Sequence, residues 1–139
     1  MKRGLIAGAW SGIVLGLFFK LLETVTGIKV YTLLLNVDFI PYIGSIRWPE
    51  WTEFLFHLFV SLAIGAVLGF LLQRFRISAY VLAALLTFPT IFLYFPLSIL
   101  SIRDVPVPTD MAAFSLWVLG HALYAVALAY AYEKSPYPR

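Results

Sequence analysis

Apolar residues fill four long stretches of this chain, and charged residues gather between them. A helix needs about 20 mostly apolar residues to cross a bilayer. On that measure the pattern predicts spans over about 4–25, 54–73, 78–100 and 111–132. The expected fold class is all-α: a polytopic membrane protein with four transmembrane helices in a compact bundle, one domain over 1–139. Pro49 stands where a helix start favours it, with Glu50 and Glu53 in the first turns, and Asp110 is placed to cap the fourth span. The third span contains Pro89 and Pro96; Pro89 predicts a kink and a freed carbonyl near mid-membrane.

Small residues add a second pattern. The first span carries Gly4, Gly8, Gly12 and Gly16, and the second carries His57, Ser61, Gly65 and Gly69 at the same spacing. Four residues is just over one turn, so each set forms a ridge with almost no side chains. Such ridges, in the manner of a glycine zipper, let backbones approach closely; in lipid that packing replaces the drive water would supply. The fourth span repeats the motif weakly, with His121 above Ala125 and Ala129, as a duplicated two-helix unit would.

Residues 27–48 do not fit a simple polar loop. Val30 to Leu35 and Phe39 to Ile43 are apolar but too short to span, so this segment is expected to lie in the interface or re-enter between the first two spans, as an anchor or as a lid over a cavity. Trp48 and Trp51 suit an aromatic belt.

Composition supports lipid as the solvent. The chain is 62% apolar and 12% charged, with a mean hydropathy of +0.92; a soluble domain carries about twice that share of charge. The net charge of +3 comes from span ends and forms no basic stripe, so nucleic acid is not an expected partner. Cysteine is absent, which excludes disulfides, thiolate nucleophiles and thiolate metal sites. The apolar run after Lys2 and Arg3 meets Lys20 and Glu23 rather than a cleavage site, and reads as a span rather than a secretory signal. Lys2, Arg3, Arg74, Arg76, Lys134 and Arg139 fall on one side with Glu133 as the only acid; the other side mixes both signs. The basic excess predicts a bacterial cytoplasmic (inner) membrane protein with both termini inside.

The chain has two histidines, both inside predicted spans. His57 follows Pro49, and His121 follows Asp110, by two to three turns, which puts both imidazoles about 10 to 17 Å below their helix starts on helices expected to run side by side. Lys20, Glu23 and Glu53 reach a similar level, and Tyr94 and Tyr124 are placed to add hydroxyls. Ionisable groups at that depth usually face the bundle interior and mark a path. Long side chains near helix ends can instead reach back to the headgroups, but histidine is too short to do so.

Lys20 after a glycine-rich opening helix, the run from His57 through Ser61 to Gly65, and the pair Gly120-His121 together resemble the YagU-like family of small bacterial inner-membrane proteins. That resemblance implies topology and the two histidine positions, and supplies no reaction.

The polar cluster points first to a small transport or permeation protein, or a regulator of one, acting on a small molecule or ion. A second expectation is a membrane protein binding haem b, or a metal, through His57 and His121, with Ser61 and Gly65 leaving room for the macrocycle; no other cofactor is expected. A third is an accessory subunit whose glycine ridge binds a second copy or another membrane protein. No nucleophile motif surrounds Ser61, and no phosphate loop, dinucleotide fingerprint or carboxylate pair with enzymatic spacing appears, so enzymatic activity is not expected.

Overall fold

The computed structural model describes residues 1–137; Arg139, counted above among the basic residues, lies outside them. Six helices follow in order: α1 (Lys2–Thr26), α2 (Val30–Leu34), α3 (Glu50–Arg74), α4 (Ala79–Phe92), α5 (Tyr94–Leu100) and α6 (Met111–Lys134). α1, α3, the α4–α5 stretch and α6 are each long and apolar enough to cross a membrane. They form the expected all-helical bundle.

The third span is broken, but not where Pro89 predicts. Pro89 sits inside a continuous α4, and the break falls at Leu93. Pro96 explains it: it has no N–H for the Phe92 carbonyl, and its ring crowds that carbonyl. The Leu93 N–H turns back to Thr90 O at 3.2 Å, and the helix resumes with the Leu97 N–H donating to Leu93 O at 3.0 Å.

α3 packs on α1, α1 on α6, and α6 on α4, while α3 and α4 touch far less. The second and fourth spans therefore do not run side by side as expected, because α1 lies between them. Two adjacent stripes on α1 explain this. Its glycines meet α3 directly: a methyl group built on Gly8 would lie 2.5 Å from Ser61 O, and one on Gly12 would lie 2.7 Å from Ser61 Oγ. Gly65 would collide with the Gly4 carbonyl and come within 2.8 Å of Gly8 Cα. The ridge expected to offer a face to a partner is thus filled from within the chain. Ala7, Ser11, Leu15 and Phe19 form the second buried stripe, and Phe19 stacks on Trp117 of α6 at 5.5 Å between ring centroids.

The first turn of α1 meets the last turn of α6 at one end of the bundle, where Arg3 donates to the carbonyl oxygens of Tyr132 and Glu133. At the other end α1 stops at Gly27, whose φ of 74° is the left-handed cap conformation that glycine adopts without penalty. The chain then turns α2 into the mouth of the bundle, burying Val30, Tyr31 and Leu33. The first apolar stretch, Val30 to Leu35, is therefore a folded plug, whereas Phe39 and Tyr42 of the second stay exposed in a surface turn.

Candidate functional site

Two compartments lie in series at the plugged end. The outer one is a polar basin of about 430 Å³, bordered by Lys20, Glu23, Tyr31, Glu50, Glu53 and Arg103. The inner one is a mostly apolar cavity of about 190 Å³, whose polar lining comprises Asn36, Glu53, His57, Ser61, Thr90, His121 and Tyr124. Glu53 and Leu35 border both.

The expected single cluster is thus divided. Lys20 and Glu23 stay in the basin. Lys20 pairs with Glu50, both half-exposed. Glu23 accepts from the Thr32 N–H at 2.8 Å and the Thr32 hydroxyl at 2.7 Å, so a carboxylate from α1 satisfies the free amino end of α2. Tyr31 donates to Glu50 at 2.9 Å, and burial, followed by that acceptor, pushes its phenol well above the usual range.

Glu53 is 4% exposed, and its partner is not Lys20. Both of its oxygens accept from Arg103, one at 2.8 Å, in a two-pronged geometry that is among the stronger charge-assisted contacts. Arg103 also meets Asp38 at 3.4 Å, and Asp38 accepts from the backbone N–H groups of Ile102 and Arg103. The hydrogen bonds to Glu53 raise the guanidinium pKa further. This triad joins the segment after α2, the start of α3 and the α5–α6 loop at the wall between the compartments. In the sequence Arg103 is one of four basic residues, with Lys20, Lys29 and Arg47, on the side that mixes both signs. The available signal was Glu53 itself: a carboxylate one turn into an apolar helix needs a cation, and few stand on that side.

His57 and His121 border the same cavity from α3 and α6. His57 Nε2 donates to Gly12 O at 3.1 Å. His121 Nδ1 donates to Trp117 O at 2.9 Å, and its ring lies 4.5 Å from the Trp117 ring. Carbonyl oxygens only accept, so each of these ring nitrogens carries the hydrogen. The Ser61 hydroxyl donates to Gly8 O at 2.6 Å and lies 2.9 Å from the Tyr124 hydroxyl. Ser61, read above as packing alone, therefore also ties α3 to α6 across the cavity floor. The space beside Gly65 that would admit a macrocycle is taken by α1.

Tyr94 does not join the site. It opens α5 just after the break, is fully buried, and donates to Val107 O at 2.9 Å and Asp110 O at 3.2 Å. Its role is to fix the loop leading into α6.

Two of the cavity's apolar lining residues also reach the bundle surface. Val60 on α3 and Leu93 at the helix break both border the cavity, and both are about half exposed on the bundle surface. They stand on α3 and at the end of α4, two helices that pack on each other far less than α3 packs on α1 or α4 on α6. No known family, curated protein or solved structure matches this chain.

Proposed function

We propose that this protein binds a small molecule dissolved in the bilayer and lets it pass, or senses it, through the His57–His121 cavity. The observation that carries this reading is the cavity itself: mostly apolar, with a few polar side chains, and bordered by Val60 and Leu93, which are about half exposed on the bundle surface. Ligand sites are typically concave and apolar with a few placed polar groups. The Arg103–Glu53 pair serves as the barrier toward the polar basin, and the glycine packing of α1 on α3 closes the opposite end. The role is binding and permeation rather than catalysis. The membrane is the bacterial cytoplasmic one with both termini inside, on the strength of the basic residues at the terminal end, and the YagU-like family is the assignment that the quoted motifs favour.

The test is transbilayer movement of a short fluorescent amphiphile in reconstituted vesicles, read by quenching from outside. Wild type should speed the movement over protein-free vesicles, and Leu93→Trp, which enlarges a side chain that borders the cavity, should remove the gain. Equal rates in all three preparations would discard permeation.

A second reading has one observation in its favour. Each imidazole donates one N–H to a backbone carbonyl, which is how a metal-ligating histidine is commonly held. The described residues contain no group of three or more His, Cys, Asp or Glu able to close around a metal ion. A haem or metal would thus rest on His57 and His121 alone. A visible spectrum after haem supplementation, with elemental analysis, decides it.

A further inference from the structure

The polar wall of the cavity is one-sided. Ser61 spends its only hydrogen on Gly8 O, so Tyr124 is the donor in their mutual bond and has spent its own. Thr90 donates to Thr87 O at 2.6 Å, and Trp117 Nε1 donates to Thr90 O at 3.3 Å. Asn36 donates to Leu97 O and accepts from the Asp38 N–H, leaving one amide hydrogen uncommitted. Each histidine has committed one N–H, and its second ring nitrogen has no hydrogen-bond partner among the described residues. Neither ring has a carboxylate within ion-pair distance among those residues, and an unpaired charge in apolar surroundings is costly. In the neutral ring the second nitrogen is a bare acceptor. The side chains that line the cavity therefore hold two imidazole nitrogens with no donor, against a single spare side-chain hydrogen on Asn36.

Resting on the cavity reading above, we infer that the occupant is a membrane-dissolved alcohol: an apolar chain or ring whose terminal O–H donates to His57 or His121. Ketones, ethers and carboxylates bring only acceptors, and would leave both imidazoles unpaired with only the one spare Asn36 hydrogen for their own oxygens; an unmet buried polar group is what discriminates most sharply between close analogues. At about 190 Å³ the cavity is somewhat larger than the ~150 Å³ apolar cavity that takes up benzene. It holds a ring or a short length of chain, and a longer tail leaves between Val60 and Leu93 into lipid.

The experiment uses the full chain in nanodiscs, photolabelled with a diazirine-bearing decanol whose attachment sites are mapped by peptide mass spectrometry. Labelling is competed with 1-decanol, its isomer methyl nonyl ether, 4-pentylphenol and 4-pentylanisole. Labelling should fall on cavity residues, and each hydroxyl compound should compete at about tenfold lower concentration than its ether partner. His57→Phe/His121→Phe should bring that ratio close to one while labelling persists. Ethers matching alcohols on wild type would overturn the donor inference and leave the cavity reading standing. No competable labelling of the cavity would overturn both. If the double variant fails to fold, the wild-type ratio decides alone. Whether decanol or pentylphenol competes better separates an aliphatic alcohol from an aromatic hydroxyl such as a reduced quinone.

Discussion

A methyl group at Gly65 would strike backbone, the Gly4 carbonyl and Gly8 Cα, neither of which can rotate away. The same group at Gly69 would rest 3.3 Å from Gly4 Cα, a tight contact that a few tenths of an ångström relieve. Gly65→Ala should therefore cost about 3 kcal/mol or prevent folding, and Gly69→Ala about 1 kcal/mol or less. Unfolding by SDS in mixed micelles would rank them, and equal effects would mean that α1 and α3 are not in this register. Gly27 provides a control of a different kind. Nothing lies within 4 Å of its added methyl group, so Gly27→Ala should cost about 1 kcal/mol through backbone strain alone. The two ladders were legible in the sequence because a four-residue spacing directly fixes a face. What they face was not: an internal contact and a face for a partner share one pattern, and only the position of α1 between α3 and α6 separates them.

The four spans were legible because hydropathy and length settle them with no knowledge of neighbours. The Arg103 contact was not, since it depends on groups brought from elsewhere in the chain, and the break at Leu93 was not because two prolines stand in one apolar run. Pro89 and Pro96 read alike in sequence, yet only the second marks a helix end; with it goes Tyr94, turned to the α6 loop rather than to the site. Arg103 shows the same limit between elements. Its side chain is 33% exposed and that of Glu53 is 5% exposed, so removing the cation strands a buried carboxylate. Arg103→Met should destabilise by about 3 kcal/mol, the low end for breaking such a pair because the guanidinium keeps some water. Glu53→Leu/Arg103→Met should recover only part of that loss: it removes the stranded Glu53 carboxylate, but leaves Asp38, whose side chain is 6% exposed, with its backbone N–H donors and no cation. A double-mutant cycle in micelles checks this. An unchanged Arg103→Met would mean that the pair does not hold the wall between basin and cavity.

At the scale of the molecule, direction in the membrane decides what the polar basin meets. Lys2, Arg3, Arg74, Arg76 and Lys134 lie at the terminal end with Glu133 as the single acid, whereas the plugged end carries both signs and most of the acids. Basic residues are retained on the cytoplasmic side, so the basin should open outward, and a bilayer-borne ligand would enter from the half of the membrane nearer that face. The chain contains no cysteine, which makes single-cysteine labelling clean. Tyr42 is 91% exposed on the plugged end, and Arg76 is exposed in the turn between α3 and α4. In intact cells an impermeant maleimide should label Tyr42→Cys and spare Arg76→Cys until the membrane is opened. The reverse pattern would turn the bundle over and place the basin in the cytoplasm. The Arg103–Glu53 wall would then guard the cavity from inside, and the ligand would enter from the inner leaflet.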